Sequence, residues 1–154
     1  MANTGFDLVS DWELAAPPEA VWDVLMRPAE WPSWWPAVTR AEVIERGEPS
    51  GVGSYIRFAW KTSLPVPLAF NVRTTRIEPL ALIEGVADGA LTGTGRWRLA
   101  PTSAGTRVRY EWRVRLTAPG LRLVAPFAKS IFLRSHAEVM RSGRAGLART
   151  LSRA

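Results

Sequence analysis

LRLVAPFAKSIFLRSHAEVMRSGRAGLARTL, residues 121–151, is the stretch the rest of the chain must fold around. No other segment is long enough for a major helix. Phe132, His136, Val139, Met140, Gly143 and Leu147 recur at the i, i+4, i+7, i+8 spacing of one helical face. Leu121, Ala125 and Ala128 extend that face backwards. Pro126 lacks a backbone donor, which predicts a kink or a break, with Leu121–Ala125 as a separate turn. Val124, Phe127 and Ile131 form a second apolar patch, read as core, pocket mouth or a dimer contact.

Working back from this helix, Arg107–Thr117 has the cleanest alternation in the chain. Val108, Tyr110, Trp112, Val114 and Leu116 share one face, and Arg107, Arg109, Glu111, Arg113 and Arg115 the other. Leu91–Ala100 is a strand whose Gly93 and Gly95 permit twist or a bulge. Leu80–Ala87 and Phe70–Ile77 are strands too, and Asp88-Gly89 reads as a hairpin turn. The prolines of Leu64-Pro65-Val66-Pro67-Leu68 place it at a sheet edge or in a loop.

Tyr55–Thr62 puts Ile56, Phe58 and Trp60 on one side, and a Gly-rich turn at 47–53 separates it from a strand at Val38–Arg46. Trp31-Pro32-Ser33-Trp34-Trp35-Pro36 is too proline-rich for a regular element. It reads as a plug at one end of the core or as a pocket wall. Before it, Pro17-Pro18-Glu19 opens a short helix carrying Val21, Trp22, Val24 and Leu25. Phe6–Ala15 is a half-buried strand, with Phe6, Leu8, Trp12 and Leu14 opposite Asp7, Asp11 and Glu13.

One strand, a short helical section, six strands in consecutive hairpins and a long helix argue an α+β class with an antiparallel sheet. The 154 residues suit one domain with a sizeable core. No run approaches the roughly 20 apolar residues of a membrane helix. The N-terminal residues lack the pattern of a secretory leader, and cysteine is absent; both predict a cytoplasmic location. The net charge of +6 is carried almost wholly by dispersed arginines, so nucleic acid is disfavoured as a partner. Eight tryptophans in so short a chain suggest a dense core or a pocket for flat apolar molecules.

Several local motifs now stand in order: Ala16-Pro17-Pro18-Glu19-Ala20-Val21-Trp22, Trp31-Pro32-Ser33-Trp34-Trp35-Pro36, Gly51-Val52-Gly53-Ser54, Gly93-Thr94-Gly95-Arg96-Trp97 and Gly105-Thr106-Arg107-Val108. With the tail His136-Ala137-Glu138-Val139-Met140-Arg141-Ser142-Gly143, they resemble the START-like superfamily, in its polyketide cyclase/dehydrase-like bacterial branch. The resemblance spans nearly the whole chain. It implies the helix-grip fold, also called START-like or Bet v 1-like. In that fold a curved antiparallel sheet of about seven strands wraps a long C-terminal helix, with two short helices after strand 1. It implies an apolar cavity between sheet and helix, but no single activity, since the superfamily holds binders, carriers and a few enzymes. No catalytic residue is assigned from it.

The lining expected of that cavity is Trp60, Phe70, Trp97, Tyr110 and Trp112 from strands, with Phe132, His136 and Met140 from the helix. The occupant would be a small hydrophobic, ring-containing molecule, polyketide- or lipid-like. The alternatives are a polyketide aromatase/cyclase or dehydratase and a basic RNA- or ribosome-associated protein. No cofactor or metal is called for: one histidine without cysteine makes no conventional zinc site. The protein would be a monomer or a homodimer.

His136, the single histidine, is either an acid–base or hydrogen-bonding group or a satisfied core residue. Gly143 and Gly146 mark either close packing of helix on sheet or room for a ligand. A two-residue hairpin at Asp88-Gly89 would set Glu84 opposite Gly93 and Leu82 opposite Gly95, turning a carboxylate to the concave side; a one-residue slip would return it to solvent. Arg57 and Tyr55 face either solvent or the cavity. Across the last hairpin, Arg98 is expected near Arg109 and Arg96 near Glu111.

Overall fold

The computed structural model describes residues 5–62, 68–117 and 119–153, the side chains of 119–129 excepted. The alternating segments become seven strands: β1 (Gly5–Leu14), β2 (Val38–Glu45), β3 (Tyr55–Trp60), β4 (Leu68–Glu78), β5 (Leu82–Gly89), β6 (Leu91–Thr102) and β7 (Gly105–Leu116). They form one antiparallel sheet in the order β1-β7-β6-β5-β4-β3-β2. Helix α1 (Pro18–Leu25) and a 3-10 segment (Pro28–Ser33) lie between β1 and β2, and helix α2 (Pro119–Ser152) ends the chain. This is the expected helix-grip arrangement.

The strand order explains why the short helical section exists. β1 and β2 are opposite edges of the sheet, so the chain must cross from one edge to the other between them. α1 and the 3-10 segment make that crossing over the apolar face. Pro18 and Glu19 occupy the first turn of α1, as the missing donor and the helix dipole favour. Trp31, Trp34 and Trp35 are all buried, Trp35 completely.

Trp34 and Trp35 seat the C-terminal helix. The Trp35 indole donates a hydrogen bond of 2.8 Å to the Val139 carbonyl. A Cβ on Gly143 would lie 2.5 Å from Trp35 Cε2, and one on Gly146 would lie 1.8 Å from the Trp34 carbonyl oxygen. The two glycines are therefore a packing feature, against the crossing segment rather than against the sheet. Phe132, Val139, Met140 and Leu147 are buried on the predicted face, and the Phe132 ring meets Phe6 of β1 at 4.3 Å.

The helix runs through Pro126, so the separate turn expected at Leu121–Ala125 is absent. A proline costs roughly 3 kcal/mol inside a helix, less than the burial of the later apolar turns returns. Of the second apolar patch, Ile131 is exposed, and the side chains of Val124 and Phe127 lie outside the described residues. The proline-rich stretch at 64–67 lies outside them as well.

On the convex face the alternation produces a ladder of opposite charges. Arg107, Arg109 and Arg113 of β7 pair with Glu13, Asp11 and Asp7 of β1 at 2.6, 3.0 and 3.3 Å. Arg98 stands opposite Arg109 and Arg96 opposite Glu111, as expected, and Arg98 binds Glu111 diagonally. The like charges of Arg98 and Arg109 are thus each answered by a carboxylate.

Candidate functional site

Between the concave face and the crossing segment lies a cavity of about 280 Å³. Ordinary small-molecule pockets begin near roughly 300 Å³. Ile56, Phe58, Trp60, Phe70, Val72, Ile83, Trp97, Tyr110 and Trp112 line its sheet side, and Leu25, Met26, Pro28 and Trp31 cover it. Val43, Arg46, Gly51, Ser54, Thr74 and Ile77 also line it, toward the β2–β3 turn. The inward alternation of β3, β4, β6 and β7 supplies most of these walls. Gly95 leaves room for its neighbour across the ladder: a Cβ there would lie 2.8 Å from the Trp112 ring.

A second cavity, of about 50 Å³, lies against α2. Phe132, Ser135, His136, Val139 and Met140 line its helix side, and Thr62, Leu68 and Leu91 part of its sheet side. Trp60, Phe70, Tyr110 and Trp112 border both cavities. These rings form a continuous partition, with Trp60–Phe70 stacked at 6.1 Å, Phe70–Trp112 at 5.6 Å and Tyr110–Trp112 at 5.7 Å.

The expected lining residues are thus divided. Trp97 borders only the larger cavity, four rings border both, and Phe132, His136 and Met140 border only the smaller one. Among the described residues, the larger space is covered by the crossing segment, and the smaller one lies between the sheet and the C-terminal helix. The physical reason is Trp35. It fills the ground between α2 and the sheet, edge-on to Trp60 at 4.8 Å and to Trp12 at 5.5 Å. Trp31 is both the plug and the wall that the sequence left open: buried, and part of the cavity roof.

Three other candidates turn away from the cavity. The β5–β6 register pairs Glu84 with Arg96 and Leu82 with Arg98, three residues from the hairpin expected at Asp88-Gly89. Glu84 binds Arg96 at 2.5 Å on the convex face. The turn shifts because Asp88 is committed to that face: its carboxylate accepts hydrogen bonds from Tyr55 Oη (2.9 Å) and Asn71 Nδ2 (2.8 Å). Tyr55 therefore points outward, with Arg73 over its ring, and Arg57 is exposed beside it.

The electrostatics are plain. Burial lowers the pKa of His136 to about 4, so its imidazole is neutral at pH 7, and its Nε2 is buried without a hydrogen-bond partner. Burial also pushes the Tyr110 phenol up, which keeps it a protonated donor. No carboxylate borders either cavity among the described residues, and Arg46 is the one charged residue of the larger lining. Three or more His, Cys, Asp or Glu side chains nowhere gather as a metal site, and no helix is long and apolar enough to cross a membrane, again among the described residues. Of the lining, Arg46, Ser54, Thr74 and Met26 escape sequence reasoning, because only the fold brings them to one end of the cavity.

Residues 6–151 match the family model described as polyketide cyclase / dehydrase and lipid transport. Among solved structures, the Zhui aromatase/cyclase from Streptomyces sp. R1128 is similar at 16% identity, covering 97% of this chain and 93% of that one, with a TM-score of 0.75. A START superfamily protein from Mycobacterium smegmatis is similar at 14% identity, covering 97% of each chain, with a TM-score of 0.72. Major latex-like protein 151 from Panax ginseng is similar at 12% identity, covering 93% and 97%, with a TM-score of 0.66. No curated protein matches the sequence significantly.

Proposed function

Because the chain belongs to the polyketide cyclase/dehydrase and lipid transport family, we propose that it binds a small, hydrophobic, ring-containing molecule in the larger cavity. The observation that carries this reading is the cavity's lining: aromatic and aliphatic side chains with a single charged residue. Apolar burial at about 25 cal/mol per Å² supplies the affinity, and stacked rings select for flatness. The smaller cavity, with Phe132, His136 and Met140, is an extension that a longer ligand reaches past the aromatic partition.

The second reading is a cyclase or dehydratase acting on a polyketide-like chain held in the same place. The Tyr110 phenol favours it, since a protonated donor at the wall shared by both cavities suits a polarised carbonyl. Against it stands the absence of an ionised acid–base pair in the described lining. A carrier therefore accounts for more of the site than an enzyme does.

Native mass spectrometry of freshly purified protein, followed by solvent extraction, tests the binding reading. A discrete small apolar mass is expected, and Ile83→Phe, which fills the cavity, is expected to lose that mass while melting cooperatively. Protein that extracts empty and shows no thermal shift with a panel of ring compounds overturns it. Tyr110→Phe separates the readings: a carrier keeps its bound mass, whereas a cyclase loses turnover.

A further inference from the structure

The rim of the larger cavity carries a positive charge placed there by an irregularity in β2. Val43 pairs with Ile56 on the concave side, but the next pairing is Glu45 with Tyr55 on the convex side. Ile44 is the extra residue of this bulge. Without it, Glu45 would face the cavity and Arg46 the solvent; with it, Glu45 turns out to bind Arg73 at 2.9 Å and Arg46 joins the cavity lining. Bulges of this kind re-aim a side chain at the end of a strand.

Arg46 has no ion pair or hydrogen bond among the described residues, although Glu45 precedes it and Glu48 follows two positions on. The arginines of the sheet's convex face are instead largely paired with carboxylates. Hydroxyl groups stand at the same end of the cavity: Ser54 Oγ donates to Thr74 Oγ1 at 3.0 Å, and both residues are in the lining. The turn between β2 and β3 is held to β4 by Gly53 N–H to Thr74 C=O (2.8 Å) and Thr74 N–H to Ser54 C=O (2.9 Å). This anchors Gly53 and Ser54 on β4.

We infer that the ligand is an amphipathic monocarboxylate, its apolar body in the cavity and its carboxylate at the rim on the Arg46 guanidinium. The inference rests on the larger cavity being the ligand site. One guanidinium balances one negative charge and offers the parallel donors a carboxylate takes, whereas a doubly charged phosphate would leave charge unanswered.

The test measures the affinities of 2-naphthoate and its neutral methyl ester for the full chain by calorimetry, with Arg46→Met and Arg57→Met variants. Arg57 lies on the other face of the sheet and controls for net charge. The wild type is expected to prefer the acid. Arg46→Met should weaken acid binding about five- to tenfold and leave the ester unchanged, while Arg57→Met changes neither. If the ester binds as well as the acid, or the two variants behave alike, the carboxylate inference falls and the cavity reading stands. If neither compound binds the wild type, both fall together.

Discussion

His136 is the only histidine in the chain, and its place in the fold makes it a measurable probe of one buried site. Its pKa falls from the ordinary 6.5 to about 4 on folding because burial disfavours the cation. Between those values the unfolded chain binds the extra proton, so stability is lost as the pH falls from about 7 towards 4. The full loss approaches roughly 3 kcal/mol, reached below the folded pKa. His136→Leu should flatten thermal stability between pH 7 and 5, where most carboxylates stay ionised; an unchanged slope would show that burial does not hold the imidazole neutral. The sequence placed His136 on the inward face by helical spacing alone, and that was enough. Neither the lack of a partner for Nε2 nor the aim of Arg46 could be read that way. The second depends on one extra residue in a strand whose exposed side chains carry no periodic signal.

At the scale of elements, α2 is seated on β1 through Phe132 and on the crossing segment through its glycines, which decide how closely those two approach. Gly→Ala within a helix is worth about 1 kcal/mol in its favour, whereas overpacking costs about 1–3 kcal/mol. Both Gly143→Ala and Gly146→Ala should lower the melting temperature. Gly146→Ala should lower it more, because its new methyl meets the Trp34 backbone rather than a ring. Melting curves check the order, and a more stable Gly146→Ala protein would refute the seating. The sequence disclosed the helix through its 3.6-residue period and β7 through its two-residue period. It could not disclose the β5–β6 register, where Gly85, Gly93 and Gly95 leave few side chains to fix the pairing and a distant pull on Asp88 decides the turn.

For the whole molecule, family motifs and strand order made the architecture legible, while the division of the interior did not follow from either. Which helix covers which space depends on Trp35, whose neighbours come from β1, β3, β6 and α2. The +6 charge, suggestive in the sequence of an acidic partner, does not come from Arg96, Arg98, Arg107, Arg109 and Arg113, which the sheet pairs one to one with acids from neighbouring strands. The same tight interior gives the protein a collective optical character. Trp12, Trp31, Trp34, Trp35 and Trp97 lie in ring contact at 5.5–6.3 Å, and Trp60 joins them through Trp35. Indoles so close share their excitation, so the native protein should show a coupled aromatic band in circular dichroism and strongly depolarised tryptophan emission. Trp35→Phe removes the most connected ring and should weaken both signals together, while Trp12, Trp97, Trp31 and Trp34 stay in contact. Because Trp31, Trp60 and Trp97 of this array also wall the cavity, an occupant will be registered by the coupled rings together rather than by any one of them.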